Sequence, residues 1–212
     1  MFTKEVNERS PLRVFEKSIH GGLGKGNLGV VMSRAGVGKT AFLIGIALDD
    51  LMRGRKVLHF SSKDSVDHVR EFYDEVFEDL RRSVHLDNAA QTRLDVERAR
   101  MIHTYRGIPF TVEKLRNDLA FYKEHVHFEP EAVIIDGFDF VGAAETDMAS
   151  LRDLAGSVGI EIWLSALTHR TDEISNERGI PNPVARFEPW ISVVVNLEPN
   201  EGAISLRLLK DH

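Results

Sequence analysis

The sequence predicts an α/β fold with a mainly parallel, twisted sheet, helices on both of its faces and an antiparallel β-hairpin at the C-terminus. Short apolar runs typical of buried strands alternate along the chain with longer stretches of helical periodicity. Near the C-terminus, two further apolar runs flank the turn-forming segment EPNEG, a pattern typical of a hairpin. Since no repeat and no linker-like segment divides the 212 residues, we expect a single domain over residues 1–212.

The first part of the chain contains two predicted strand–helix pairs. Residues 1–27 show no clear pattern and are expected to form an irregular N-terminal segment. A strand at Leu28–Met32 precedes a helix at Lys39–Arg53, which is apolar on most faces and therefore buried. A strand at Lys56–Phe60 precedes the next helix, for which Ser65 is the expected N-cap.

The second part of the chain continues this alternation. Residues 88–125 are polar with helical periodicity and are predicted to form two helices separated at YRGIPF. AVIID, at Ala132–Asp136, is predicted to be a fully buried strand that ends in an acid. A helix closed by Gly159 and a strand at Ile160–Leu167 follow, and the final hairpin is expected to add antiparallel strands at one sheet edge.

The composition argues against several classes of function. A net charge of -6 provides no bulk positive field for nucleic-acid backbones or anionic membranes. There are no cysteines, which excludes disulfides, zinc–thiolate sites and thiol catalysis. The charged N-terminus is unlike a secretory signal, and no apolar run has the length of a membrane span. We therefore expect a cytoplasmic protein that does not enter membranes.

The segment SRAGVGKT, residues 33–40, is predicted to be a phosphate-binding loop. Gly36 and Gly38 allow the backbone N–H groups to turn toward an anion, and the loop ends at a helix N-terminus, which also favours anions. Lys39 is expected to reach the β- and γ-phosphates and Thr40 to bind Mg²⁺. Ser33 stands where the usual motif has its first glycine. The candidate nucleotide-binding residues are Ser33, Arg34, Ala35, Gly36, Val37, Gly38, Lys39, Thr40 and Ala41.

Asp136 is the second candidate metal residue, together with Thr40. Its carboxylate follows a buried strand, and ligands bind near the carboxyl ends of parallel strands. There it can hold the water shell of Mg²⁺ while Thr40 binds the metal directly. The alternative is an aspartate that caps the turn before Gly137.

Taken in order, these motifs resemble the RecA-like P-loop ATPases, and within them the KaiC and DnaB-helicase group. The resemblance covers most of residues 20–212 and is carried by GGLGKGNLGVVMSRAGVGKTAFLIGIAL, KVLHFSSKDSVDHV, AVIIDGFD, EIWLSALTHR and ISVVVNLEPNEGAISLRLLKDH. It implies a RecA-like P-loop NTPase fold, ATP and Mg²⁺ as ligands, and a homo-oligomer such as the hexameric rings of this group. In such rings the nucleotide lies at subunit interfaces.

The residues that would catalyse hydrolysis depart from the family pattern. In KaiC-like proteins two glutamates follow the second strand, and one of them activates the attacking water. Here these positions are Lys63 and Asp64, so Asp64 is the candidate base beside Lys39. The alternative ATPase arrangement, an aspartate followed by a glutamate on the metal-binding strand, is absent because Gly137 follows Asp136. Asp139, three residues after Asp136, is a second candidate base. The alternative role of Asp64 is that of an acid favoured by the dipole of the next helix.

Two further positions match polar residues of the family. His169 follows the fourth predicted strand and could bind the γ-phosphate as a sensor, or could be a hydrogen-bonding loop residue. Lys210 matches a lysine that reaches into the neighbouring subunit's nucleotide, whereas His212 stands where the family commonly has an arginine. Three arginines could substitute for this arginine or could lie in solvent: Arg170, Arg178 and Arg186.

Three functions remain open at this point. The first is a slow Mg²⁺-dependent ATPase that acts as an oligomeric switch for a protein partner, and the second is a nucleotide-binding scaffold that has lost hydrolysis. The third is a small-molecule kinase, for which residues 171–189 are only a weak candidate lid. Nucleic-acid binding is not expected, because the arginines of this segment and of residues 88–125 are interleaved with acids.

Overall fold

A computed structural model describes residues 15, 19, 21–84, 86, 88–169, 176–200 and 203–212. The strands are β1 (Leu28–Ser33), β2 (Val57–Ser61), β3 (Arg100–Thr104), β4 (Ala132–Asp136), β5 (Glu161–Leu167), β6 (Val193–Asn200) and β7 (Ala203–Lys210). The α-helices are α1 (Lys39–Met52), α2 (Val66–Val84), α3 (Ala89–Ala99), α4 (Val112–Phe121) and α5 (Glu145–Val158). A π-helical turn extends α4 over Tyr122–Val126, and a 3₁₀ helix covers Val184–Trp190.

The strands form one seven-stranded sheet in the order β3-β2-β4-β5-β1-β6-β7. Strand β1 lies between β5 and β6 and is parallel to both, with Val30 aligned to Leu164 on one side and Val194 on the other. Among the strands of the described residues, β7 alone runs antiparallel, paired with β6 in the C-terminal hairpin. The predicted α/β class, the mainly parallel sheet and the hairpin are confirmed. Within this hairpin β6 extends the parallel set and β7 runs against it.

Each face of the sheet is covered by its own hydrophobic cluster. Val30 of β1 and Val133 of β4 point to the face packed by α4, α5 and the 3₁₀ helix. Their neighbours Val31 and Ile134 point to the opposite face, packed by α1, α2 and α3. Because successive side chains of a strand point to opposite faces, a strand that is buried throughout requires helices on both sides. The predicted two-sided arrangement is therefore present.

The segment predicted as two helices, residues 88–125, instead forms a helix, a strand and a helix. Strand β3 was missed because it is the edge strand: it pairs only with β2, and all of its side chains are half-buried. Without a buried face it has no alternation that would distinguish it from the end of α3. The second helix does begin after the predicted break, where the Thr111 hydroxyl accepts a hydrogen bond from the Lys114 N–H at 3.2 Å.

Several local predictions are also tested. The Ser65 hydroxyl accepts a hydrogen bond from the His68 N–H at 3.2 Å, as expected of an N-cap. Gly159 ends α5 with a left-handed φ of 74°. Of the predicted irregular segment 1–27, residues 1–14, 16–18 and 20 lie outside the described residues. In the described part of the chain, no helix combines the length and apolar character needed to cross a bilayer.

The order of the strands fixes where a cleft can open. From β1 and β2 the chain moves toward the β3 edge, whereas from β4 and β5 it moves toward the β7 edge. The loops that leave the carboxyl ends of these neighbouring strands therefore diverge, which leaves a crevice above them. Residues at or shortly after the ends of β1, β2, β4 and β5 line this crevice.

Candidate functional site

The loop between β1 and α1 has a backbone that requires glycine. Gly36 and Gly38 have φ values of 76° and 110°, in the left-handed region that other residues rarely adopt. A Cβ atom on Gly38 would also lie 3.3 Å from the Cδ1 atom of Ile204. Gly38 is the N-cap of α1 and has no side chain to cap the helix, so the helix N-terminus is open toward the loop.

Lys39, the first residue of α1, extends back across this loop. Its ammonium donates hydrogen bonds to the carbonyl oxygens of Ser33 at 3.0 Å and Arg34 at 3.1 Å, and to the Ser33 hydroxyl at 3.2 Å. Burial lowers the pKa of Lys39; the Asp136 carboxylate opposes this effect and the Lys63 ammonium adds to it. The ammonium is therefore held at the mouth of the loop, close to both charges.

A chain of hydroxyl groups connects α1, β4 and β5 through Asp136. The Thr40 hydroxyl donates to Asp136 Oδ2 at 2.6 Å, and the Ser165 hydroxyl donates to Asp136 Oδ1 at 2.6 Å. Ser165 also accepts a hydrogen bond from the Gly137 N–H at 2.7 Å. Sequence reasoning missed Ser165, although a hydroxyl inside the otherwise apolar strand WLSAL is a signal that could have indicated it.

A cleft of about 760 Å³ opens above these residues, within the size range of small-molecule sites. Its ionisable side chains come from the ends of several strands, as expected for the carboxyl edge of a parallel sheet. They are Lys39, Lys63, Asp64, Asp136, Asp139 and His169. Of the predicted loop residues, Ala35, Gly36, Gly38, Lys39, Thr40 and Ala41 also line the cleft. Arg34 and Val37 line an adjoining cavity of about 540 Å³ beside His169.

The structure brings Asp64 to the same cleft as Asp136. The Ser61 hydroxyl accepts hydrogen bonds from the N–H groups of Lys63 at 3.3 Å and Asp64 at 3.0 Å, which fixes the turn between β2 and α2. The Asp64 side chain is partly exposed, and its Oδ1 atom lies 3.8 Å from Nε2 of His68. Asp64 thus lines the cleft, and its carboxylate lies near His68.

Asp139 and His169 also reach the cleft, but in different settings. Asp139 Oδ1 accepts hydrogen bonds from the N–H groups of Val141 at 3.1 Å and Gly142 at 3.0 Å. This carboxylate therefore shapes its own turn. His169 is exposed and lines both the cleft and the adjoining cavity.

Lys210 is not among the residues that line the cleft. Its ammonium donates to the Glu188 carbonyl at 2.7 Å. Burial lowers the pKa of Lys210, with Glu188 opposing this effect and Arg178 adding to it. The predicted position of Lys210 at a neighbouring subunit's nucleotide stays a prediction.

The described candidates for a substitute arginine have partners within the chain. The Arg186 guanidinium donates to the carbonyls of Phe140 at 2.8 Å, Val141 at 3.1 Å and Ala143 at 2.5 Å, which ties down the loop after β4. Arg178 forms an ion pair with Glu188 at 2.8 Å. Arg170 lies outside the described residues.

The donor groups fit magnesium only together with a phosphate ligand. Within the described ranges, no group of three or more His, Cys, Asp or Glu side chains could hold a metal ion. Magnesium usually keeps several waters and binds one or two protein oxygens plus phosphate oxygens. Thr40 and Asp136 provide one hydroxyl and one carboxylate in contact. Because Thr40 donates its proton to Asp136, its oxygen lone pairs stay available to a cation.

Comparison with known protein families gives no match to this chain, and comparison with curated proteins gives none either.

Proposed function

We propose that this chain is a RecA-like P-loop ATPase of the KaiC and DnaB-helicase group that binds ATP with Mg²⁺ and hydrolyses it slowly. In this proposal the protein forms a homo-oligomer that acts as a switch for a protein partner. The observation that carries the proposal is the contact between Thr40 and Asp136 beside the Lys39 ammonium. It joins the first turn of α1 to the end of β4 at the base of the cleft, where a hydroxyl, a carboxylate and a cation converge.

Each group has a defined task under this proposal. The N–H groups of the glycine-containing loop and the N-terminus of α1 bind the phosphates, and Lys39 neutralises the β- and γ-phosphates. Thr40 and Asp136 hold Mg²⁺, which neutralises phosphate charge when bound. Asp64 accepts a proton from the attacking water at its carboxylate.

A scaffold without hydrolysis is the second candidate. It is favoured by Lys63, which lines the cleft at a position where KaiC-like proteins have a glutamate. A lysine ammonium cannot accept a proton from water at neutral pH, so Asp64 must do so from a shorter side chain. In this case ATP would be a structural ligand that joins subunits.

Binding is tested by isothermal titration of the protein with ATP and Mg²⁺. We expect Lys39→Ala to weaken ATP binding by about a hundredfold or more, because a buried phosphate would lose its main cation. Lys123→Ala is the matched control, since Lys123 lies at the surface in an ion pair with Glu129 and does not line the cleft. Unchanged ATP affinity in Lys39→Ala would refute the assignment of the loop.

Hydrolysis is tested by phosphate release over hours, with sizing in the presence and absence of ATP. Slow release that Asp64→Asn abolishes, with binding retained, would establish an ATPase with Asp64 as base. No release together with ATP-dependent assembly would instead establish the scaffold. A variant that releases phosphate normally would exclude Asp64 as the base.

A further inference from the structure

The position of Lys63 is fixed by contacts between two turns. Its own N–H donates to the Ser61 hydroxyl at 3.3 Å. The next turn is tied to it by Ser62, whose N–H donates to the Asp136 carbonyl at 3.0 Å and whose hydroxyl donates to the Gly137 carbonyl at 2.8 Å. The backbone of Lys63 is therefore held beside the end of β4.

The Lys63 side chain passes over Gly137 at van der Waals distance. A Cβ atom on Gly137 would lie 3.4 Å from Cε and 3.5 Å from Cγ of Lys63, so the lysine stem crosses the bare glycine backbone. The same atom would lie 2.2 Å from the Ser62 hydroxyl oxygen, and Gly137 has a left-handed φ of 88°. A side chain at position 137 would therefore displace the Ser62 hydroxyl and strain the turn, and it would touch the lysine stem at ordinary contact distance.

The two lysines of the cleft differ in their partners. The Lys39 ammonium donates to three oxygen atoms of the β1–α1 loop. The Lys63 ammonium has no hydrogen-bond or ion-pair partner among the residues that the structure describes, although it lies close enough to lower the pKa of Lys39. Two neighbouring cations, one of them unpaired, favour an anion placed between them.

The sheet order indicates which part of a bound nucleotide faces Lys63. Strand β2, which leads to Lys63, is separated from β1 by β4 and β5. A phosphate chain that begins in the β1–α1 loop and passes the Thr40–Asp136 pair would bring its far end toward β2. Lys63 therefore approaches the terminal phosphate from the side opposite the loop.

We propose that Lys63 is a specificity-determining residue that binds the terminal phosphate of the triphosphate within the same subunit. This inference rests on the proposed function and adds two properties to it. The cleft should prefer ATP to ADP through Lys63, and it should retain part of its ATP affinity without Mg²⁺, because a fixed protein cation replaces some of the metal's charge.

The test is titration of the full chain with ATP and with ADP, each in Mg²⁺ and in EDTA. In EDTA we expect Lys63→Met to weaken ATP binding about tenfold and ADP binding less than about threefold, since only the terminal phosphate loses a cation. The effect on ATP should be smaller in Mg²⁺. Lys63→Arg should restore the preference for ATP, and Lys123→Met is the matched surface control.

The outcomes separate this inference from the proposed function. If Lys39→Ala abolishes binding while Lys63→Met changes ATP and ADP affinity equally or leaves both unchanged, Lys63 does not determine specificity and the cleft assignment stands. If Lys39→Ala has no effect, the proposed function itself fails. Thermal melts of each variant identify any loss of folding, and Lys63→Arg keeps the test valid if Lys63→Met is unstable.

Discussion

Charged side chains lie at both ends of α1, partly buried at the N-terminus and buried at the C-terminus, and their surroundings differ. At its N-terminus, Lys39 and Thr40 face an open cleft of about 760 Å³. At its C-terminus, Asp49 and Asp50 are each 3% exposed, at the opposite edge of the sheet. Acids at a helix C-terminus are disfavoured by the helix dipole, so the second arrangement needs compensation by nearby cations.

That compensation comes from arginines of the same chain. Arg55 binds Asp50 Oδ1 at 2.6 Å and Glu161 Oε2 at 3.3 Å, and Arg53 contacts Asp49. Burial and the neighbouring Glu161 carboxylate raise the pKa of Asp50, and Arg55 opposes this effect. The charges at the amino ends of the strands are thus paired within the protein. In the cleft at the carboxyl ends, the Lys63 ammonium is unpaired among the described residues. We therefore expect the paired cluster to stabilise the fold and the cleft to be available to a ligand.

The largest effect that would test this contrast is on folding stability. We expect Arg55→Met to lower the free energy of unfolding by about 4 kcal/mol, because Asp50 and Glu161 would be left buried without their cation. Binding of ATP by the folded variant should be unchanged, since Arg55 lies at the edge opposite the cleft. Urea denaturation measures the first quantity and titration of the refolded variant the second.

Arg81→Met is the control for this substitution. Arg81 forms an ion pair with Glu78 at 2.8 Å, but both side chains are well exposed, so we expect a loss of at most about 1 kcal/mol. Equal losses in the two variants would mean that the ion pairs of Arg55 with Asp50 and Glu161 do not stabilise the fold.

The second expected effect concerns His59, which lies in the middle of β2, between the amino and carboxyl ends of the strands, and is fully buried. Its Nδ1 atom lies 3.2 Å from the Tyr73 hydroxyl of α2, and its Nε2 atom has no hydrogen-bond partner among the described residues. The groups that act on its charge are Asp136 of β4 and Arg100 of β3. Burial lowers the pKa of His59 from 6.5 to about 4, with Asp136 opposing and Arg100 adding to the shift.

The stability of the protein should therefore depend on pH between these two pKa values. Below pH 6.5 the unfolded chain binds a proton at position 59 and the folded chain does not, so stability falls as the pH decreases toward about 4. The full contribution is about 3 kcal/mol, and it is present only above pH 6.5. We expect urea midpoints to show this fall in the native chain and in His125→Gln, an exposed control, and to lose it in His59→Gln. If the native chain and His59→Gln had identical pH profiles, the pH dependence could not be assigned to His59.

The charged residues at the carboxyl ends of the strands and those at the amino ends also differ in how far the sequence could predict their contacts. The residues at the N-terminus of α1 are neighbours along the chain, so a short motif indicated that Lys39 and Thr40 lie together. Asp136 was recognisable because a buried strand ends with it. The amino-edge network depends instead on Arg55 meeting Glu161, 106 positions away, and no local pattern records such a pair.

The same reason explains what was missed at the cleft. Ser165 reaches Asp136 only because β5 lies beside β4, a fact of sheet order that periodicity does not contain. Strand β3 was missed for a related reason, since only its pairing with β2 distinguishes it from the preceding helix. Local chemistry was therefore predictable, whereas contacts that depend on the order of strands were not.

The smallest expected effect concerns Ser165 and would sharpen the assignment of the cleft. The Ser165 hydroxyl holds one oxygen of Asp136 while Thr40 holds the other, which fixes the orientation of the carboxylate. Groups that orient a metal-binding carboxylate usually change metal affinity by about tenfold or more when they are removed. We therefore expect Ser165→Ala to raise the Mg²⁺ concentration that half-saturates ATP binding about tenfold, with little change in EDTA.

Ser157→Ala controls for the loss of a hydroxyl, because Ser157 is exposed on α5 and, among the described residues, bonds only the Leu154 carbonyl, at 3.0 Å. Ser165→Ala should also lower stability by about 1 kcal/mol, since the Gly137 N–H loses its acceptor. A variant that loses stability but keeps the native Mg²⁺ dependence would show that Ser165 serves the fold alone. A variant that requires about ten times more Mg²⁺ would show that the hydroxyl acts through Asp136. The carboxyl ends of the strands would then differ from the amino ends in binding a cation from solution.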